Sequence, residues 1–112
     1  MTEITNAEWD TVLKWCGITI EKSTTTDSIN RAEFLKYYDP AGARITKPVL
    51  GLASVEAWII PALIEKWLLE ISIDGEGVHI YLSRRHLASD KDLTIAIVRA
   101  VLEVIGNERD ED

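Results

Sequence analysis

The chain opens on a helical pattern. Trp9, Val12, Leu13 and Cys16 recur at three- and four-residue intervals and line one face of a helix, while Asp10, Thr11 and Lys14 fall elsewhere on the wheel. Thr5 and Glu8 stand at capping-box spacing, and Ile4 and Trp9 flank that box as a hydrophobic staple, which predicts where the helix starts. Gly17 ends it as a C-cap glycine. The alternation of Ile18, Thr19, Ile20, Glu21 and Lys22 then predicts a short strand with Ile18 and Ile20 inward, and the polar residues 23–30 read as a loop. Residues 33–38 form a second strand candidate, and Asp39-Pro40-Ala41-Gly42 supplies the turn residues of a hairpin. Its return arm, residues 44–47, is kept short by Pro48.

Further along, residues 55–67 read as a second helix with Ser54 as N-cap and a kink near Ile60, because Pro61 removes a backbone donor. Leu69, Ile71 and Ile73 alternate with polar residues, as do Val78, Ile80 and Leu82. A two-residue loop within Asp74-Gly75-Glu76-Gly77 puts both aliphatic sets on one face, so a tight hairpin is expected. Residues 84–91 read as a polar loop, residues 92–105 as the last helix, Gly106 as its end and residues 107–112 as an acidic tail. The expected fold is α+β: an antiparallel sheet of four to five strands with three helices packed on it, in the manner of an α/β/α sandwich, over residues 1–106.

The second and last helices are apolar nearly all round. Between Asp92 and Gly106 only Thr94, Arg99 and Glu103 are polar, more apolar surface than one sheet face requires. One reading packs the two helices side by side on the sheet. The other leaves an apolar patch for a partner, with Trp58, Trp67, Ile95, Val98 and Leu102 as the interface residues.

Composition narrows the function classes. At 112 residues, 46% hydrophobic and 28% charged, the chain has the make-up of one small globular domain. Its longest apolar run is too short for a bilayer span, and the opening residues lack the pattern of a secretory signal, so the expected setting is the cytoplasm with no membrane partner. Twelve basic against nineteen acidic residues give a net charge of -7, which argues against binding nucleic acid.

Candidate chemistry is sparse. His79 lies on the polar face of the late hairpin beside Tyr81 and, in one register, across from Ser72; no nucleophile motif surrounds that serine, so no catalytic residue is assigned. His79 and Glu70 lack a third ligand, so no metal or cofactor is expected. Arg84 and Arg85, with Glu70, Ser72, His79 and Tyr81, make a candidate surface for a small anionic ligand or nucleotide. Gly75 and Gly77 belong to a strand-to-strand turn, which excludes a dinucleotide-binding loop. Cys16, facing the apolar side, reads as an inert core thiol.

The order of elements, with Tyr37-Tyr38-Asp39-Pro40, the helix around Trp58, the pair of strands about Asp74-Gly75 and the closing residues 92–102, resembles the small phage ABA-sandwich family. That resemblance implies an α/β/α layering and a phage or prophage setting, and it transfers no functional residue. The expected function is a non-enzymatic interaction module, paired with itself as a homodimer or with a host protein. The alternatives are a small-ligand or nucleotide binder on the polar sheet face, and an acidic inhibitor of a host nucleic-acid enzyme whose binding weakens with salt.

Overall fold

The computed structural model describes residues 4–25 and 32–110. Helix α1 (Asn6–Trp15) begins as the spacing predicts: Glu8 N–H donates to Thr5 Oγ1 at 3.1 Å and Thr5 N–H to Glu8 Oε1 at 3.0 Å. It ends at Gly17, whose φ of +95° suits a residue without a side chain. Strands β1 (Thr19–Thr24), β2 (Glu33–Tyr38) and β3 (Arg44–Ile45) follow as one antiparallel sheet in that order. Most of the 23–30 loop lies outside the described residues. At the β2–β3 turn the Asp39 carboxylate accepts from the amides of Ala41 and Ala43. Pro48 follows β3 and is buried, its carbonyl accepting from the Trp9 indole N–H at 2.9 Å.

The middle helix differs from expectation at both its start and its kink. It begins as a short turn, α2 (Leu52–Ser54), passes through a π-helical segment at Val55–Ile59 and continues as α3 (Ile60–Lys66). Ser54 is no N-cap; its hydroxyl donates to the Val49 carbonyl instead. Pro61 occupies the first turn of α3, where its missing N–H matters least, and the widened segment before it keeps the helical path continuous. The kink is therefore a π-segment.

A second antiparallel sheet is built from β4 (Leu69–Asp74), β5 (Gly77–Leu82) and β6 (Arg85–Asp90), in that order. The β4–β5 hairpin has the anticipated two-residue loop, Gly75 and Glu76, and pairs Ile71 with Ile80 and Ile73 with Val78. Strand β6 corrects the loop expected at residues 84–91. Its connection is another two-residue turn, with Ser83 at φ 50° and Arg84 at φ 70°. Two successive positive φ values mark a type I′ hairpin, yet neither residue is the Asn or Gly that normally announces one.

Helix α4 (Leu93–Asp110) covers the apolar face of the second sheet, over β5 and β6, and its opposite side meets α1 and the π-helical segment. That double contact explains an apolar surface all round: Ala96, Ile97, Val98, Ala100 and Val101 are completely buried, as are Val12, Leu13, Val55 and Ile59 facing the same core. Gly106 does not end the helix, and residues 107–110 of the expected tail continue it.

The protein is α+β, as expected, but the four-to-five-stranded sheet and the α/β/α layering are replaced by two three-stranded sheets, in a molecule 57 Å long and under 30 Å across. Among the described residues no helix is long and apolar enough to cross a membrane.

Candidate functional site

The outer face of the second sheet carries both histidines of the chain among several other polar side chains. Alternation on β4 and β5 turns Glu70, Ser72, Asp74, His79 and Tyr81 outward, while Val78, Ile80 and Leu82 are buried under α4. On β6 strict alternation would send His86 and Ser89 to opposite faces. A bulge prevents this: Ile80 pairs with Ala88 but Tyr81 with His86, so Leu87 is the extra residue and both His86 and Ser89 project outward.

The bulge brings four side chains into one hydrogen-bonded chain. Asp74 contacts His79 Nε2 with both carboxylate oxygens at 3.1 Å, His79 Nδ1 lies 2.6 Å from Ser89 Oγ, and the same oxygen lies 2.7 Å from His86 Nε2. Donor counting orders the protons. Asp74 is held below the usual carboxylate range by the Glu76 amide first, then by His79 and the Gly77 amide, so it accepts the Nε2 proton of His79. His79 Nδ1 is then an acceptor, which takes the single hydroxyl proton of Ser89. The serine oxygen accepts in turn from His86 Nε2–H. Tyr81 packs at the far end, its ring centroid 5.2 Å from that of His86.

The six residues expected from sequence fall in three places. Glu70, Ser72, His79 and Tyr81 share this face, and Ser72 does pair with His79, yet the hydroxyl that His79 contacts is that of Ser89. Arg84 sits in the β5–β6 turn. Arg85 lies off the face, in a cleft of about 430 Å³ with Trp67, Leu87, Val104 and Glu108. Asp74, His86 and Ser89 were not among the chosen residues. The one signal for the last two was their three-residue spacing in a segment read as loop, and that spacing gives a shared strand face only once a bulge is known.

Cys16 is half-buried, and burial pushes its thiol up to about 12, in keeping with an inert sulfur. Among the described residues no group of three or more His, Cys, Asp and Glu is placed to hold a metal ion.

The predicted interface residues lie mostly inward. Val98 belongs to the core and is corrected from an interface residue to a buried one; Trp58, Ile95 and Leu102 are partly buried. Trp67 stacks on Trp15 at 6.2 Å with the rings 10° from parallel, and Lys66 lies over both. Exposed apolar side chains occur elsewhere: Phe34, Leu35, Val49 and Leu52 in the first half of the chain, and a second group on and before β4. Ile71 is 40% exposed and Ile73 72%, because α4 covers β5 and β6 but leaves the outer strand β4 bare; Ile64 (58%) and Leu68 (59%) precede it in the chain.

Strand β4 is also an edge. The Ser83 N–H donates to the Leu68 carbonyl at 2.8 Å, which fixes the even-numbered residues of β4 as those bonded to β5. The N–H and C=O groups of Leu69, Ile71 and Ile73 therefore point to the open side. Aliphatic side chains and free backbone groups come from the same residues.

No family model matches the chain, and neither a curated protein nor a solved structure matches it. The likeness to the phage ABA-sandwich family consequently rests on the sequence pattern alone.

Proposed function

We propose that the protein is a non-enzymatic association module whose partner is a second copy of itself, joined antiparallel through β4. The observation that carries this reading is the bare edge, where Ile71 and Ile73 present aliphatic side chains and unpaired backbone together.

The sequence of the strand selects the register. Centred on Ser72, the two copies would set Glu70 against Asp74, and centred on Glu70 they would set that carboxylate against itself. Centred on Ile71, each Leu69 faces the other copy's Ile73, each Glu70 faces Ser72, and no two acids are directly opposed. The same register pairs all the outward backbone groups of Leu69, Ile71 and Ile73. It joins the two sheets into one of six strands and sets the exposed isoleucines against aliphatic side chains of the second copy on the same face.

Light scattering across a dilution series tests the reading. The expected mass is twice 12.6 kDa for the native chain, falling to 12.6 kDa in Ile71→Lys and Ile73→Lys, whose charges sit at the seam. A native chain that stays at the single-chain mass at every concentration would refute it.

A further inference from the structure

The outer-face network converges two imidazole nitrogens on one point, and we propose that this point is a binding site for a late first-row divalent metal ion such as Zn²⁺, Ni²⁺ or Cu²⁺, held by His79 Nδ1 and His86 Nε2. The Ser89 oxygen marks the place, 2.6 Å from one nitrogen and 2.7 Å from the other. Metal–imidazole bonds are about 2.0–2.1 Å, so each ring has to approach an ion there by roughly 0.6 Å. Imidazole is a ligand type these ions favour.

Behind the nitrogens the arrangement matches what metal-binding histidines require. A ligating imidazole generally donates its other N–H to a carboxylate, which fixes the tautomer and raises the basicity of the bound nitrogen. Asp74 does this for His79, and it is itself fixed by the amides of Glu76 at 2.8 Å and Gly77 at 3.2 Å. His86 is exposed and has no such constraint, so in water it can move its proton to Nδ1 and present Nε2 to the ion. The Ser89 side chain, also exposed, turns to another rotamer and leaves that point to the ion. Water fills the remaining positions, since the protein supplies two nitrogens only. A net charge of -7 favours the approach of a cation.

The site is independent of self-association. Its two ligands project from the outer face of β5 and β6, and only the supporting Asp74 belongs to β4, at that strand's end, where its backbone bonds to β5 and not to the open side along which the proposed seam runs.

Calorimetric titration of the tag-free native chain with ZnCl₂ and NiCl₂, repeated on four variants, tests it. One equivalent is expected to bind saturably. His79→Gln and His86→Gln each remove one of the two nitrogens and are expected to weaken binding by at least about tenfold, and Asp74→Asn by about 10-fold through loss of the supporting carboxylate. Ser89→Ala keeps both nitrogens and clears the space between them, so its affinity is expected to be equal or higher. Far-UV circular dichroism verifies that each variant is folded. Absence of saturable binding to the native chain, or affinity unchanged in both histidine variants, would overturn the assignment.

Discussion

Thr5 and Glu8 were readable from their spacing because a capping box is local: four consecutive residues contain both hydrogen bonds. Thr5→Ala is expected to lower stability by about 1 kcal/mol in urea unfolding. Acid should act through the same residue pair and through Asp74. Glu8 and Asp74 titrate below their ordinary values in the folded chain, Glu8 chiefly through the Thr5 amide and Asp74 chiefly through the Glu76 amide. Their contribution is present above the unfolded-state values and is lost as pH falls through the folded ones, so stability should drop below about pH 4, with a shallower drop in Glu8→Gln. Cys16 works in the opposite direction. Its folded pKa of about 12 lies above an unfolded value of about 8.5, so stability should decline as pH rises between them. At neutral pH the thiol should react with an aromatic disulfide reagent only after unfolding; rapid reaction of the native chain would contradict the burial assigned to it. The Asp74–His79–Ser89–His86 chain, by contrast, was not legible. It joins residues from two hairpins, and only the partner strand's register shows which serine a histidine meets.

Secondary elements were legible where their signals lay within one segment. The β4–β5 hairpin followed from alternation and a glycine-bearing turn, while β6 was missed because its turn, Ser83-Arg84, holds positive φ without Gly or Asn and because the bulge at Leu87 breaks the period of two. That turn gives a direct check. Replacing Ser83→Asn together with Arg84→Gly supplies residues suited to a type I′ geometry and should raise stability by about 1 kcal/mol, read as a higher thermal midpoint. Gly77 gives the reverse case. At φ +137°, with a Cβ position only 2.7 Å from the Asp90 carbonyl oxygen, it has no room for a side chain. Gly77→Ala should therefore destabilise the β5–β6 pairing and expose the β6 amides to faster hydrogen exchange than those of α1. The π-segment before Pro61 had only the proline as a signal, which announces a disturbance without saying whether the helix bends, stops or widens.

For the whole molecule, the surplus of apolar helix surface was visible in sequence, but its destination was not. Whether residues such as Val98 face a partner or the core depends on which elements pack on both sides of α4, a long-range property that periodicity does not carry. Once α4 lies between the second sheet and the N-terminal helices, the apolar surface that the second sheet leaves exposed is on β4. Self-pairing there brings together two chains of charge -7 each, so added salt should tighten the dimer by screening their repulsion. An inhibitor held by its acidic charge would instead release its target. The account's central claim is the antiparallel β4 seam centred on Ile71, and oxidative cross-linking in a Cys16→Ala background tests it most directly. A cysteine at position 71 should join rapidly to the same position in the second copy, because directly opposed strand residues lie within disulfide reach. Val49→Cys, at a 78% exposed position away from the seam, should remain largely uncross-linked under the same conditions. Equal rates at the two positions, or no covalent dimer through position 71, would contradict the seam.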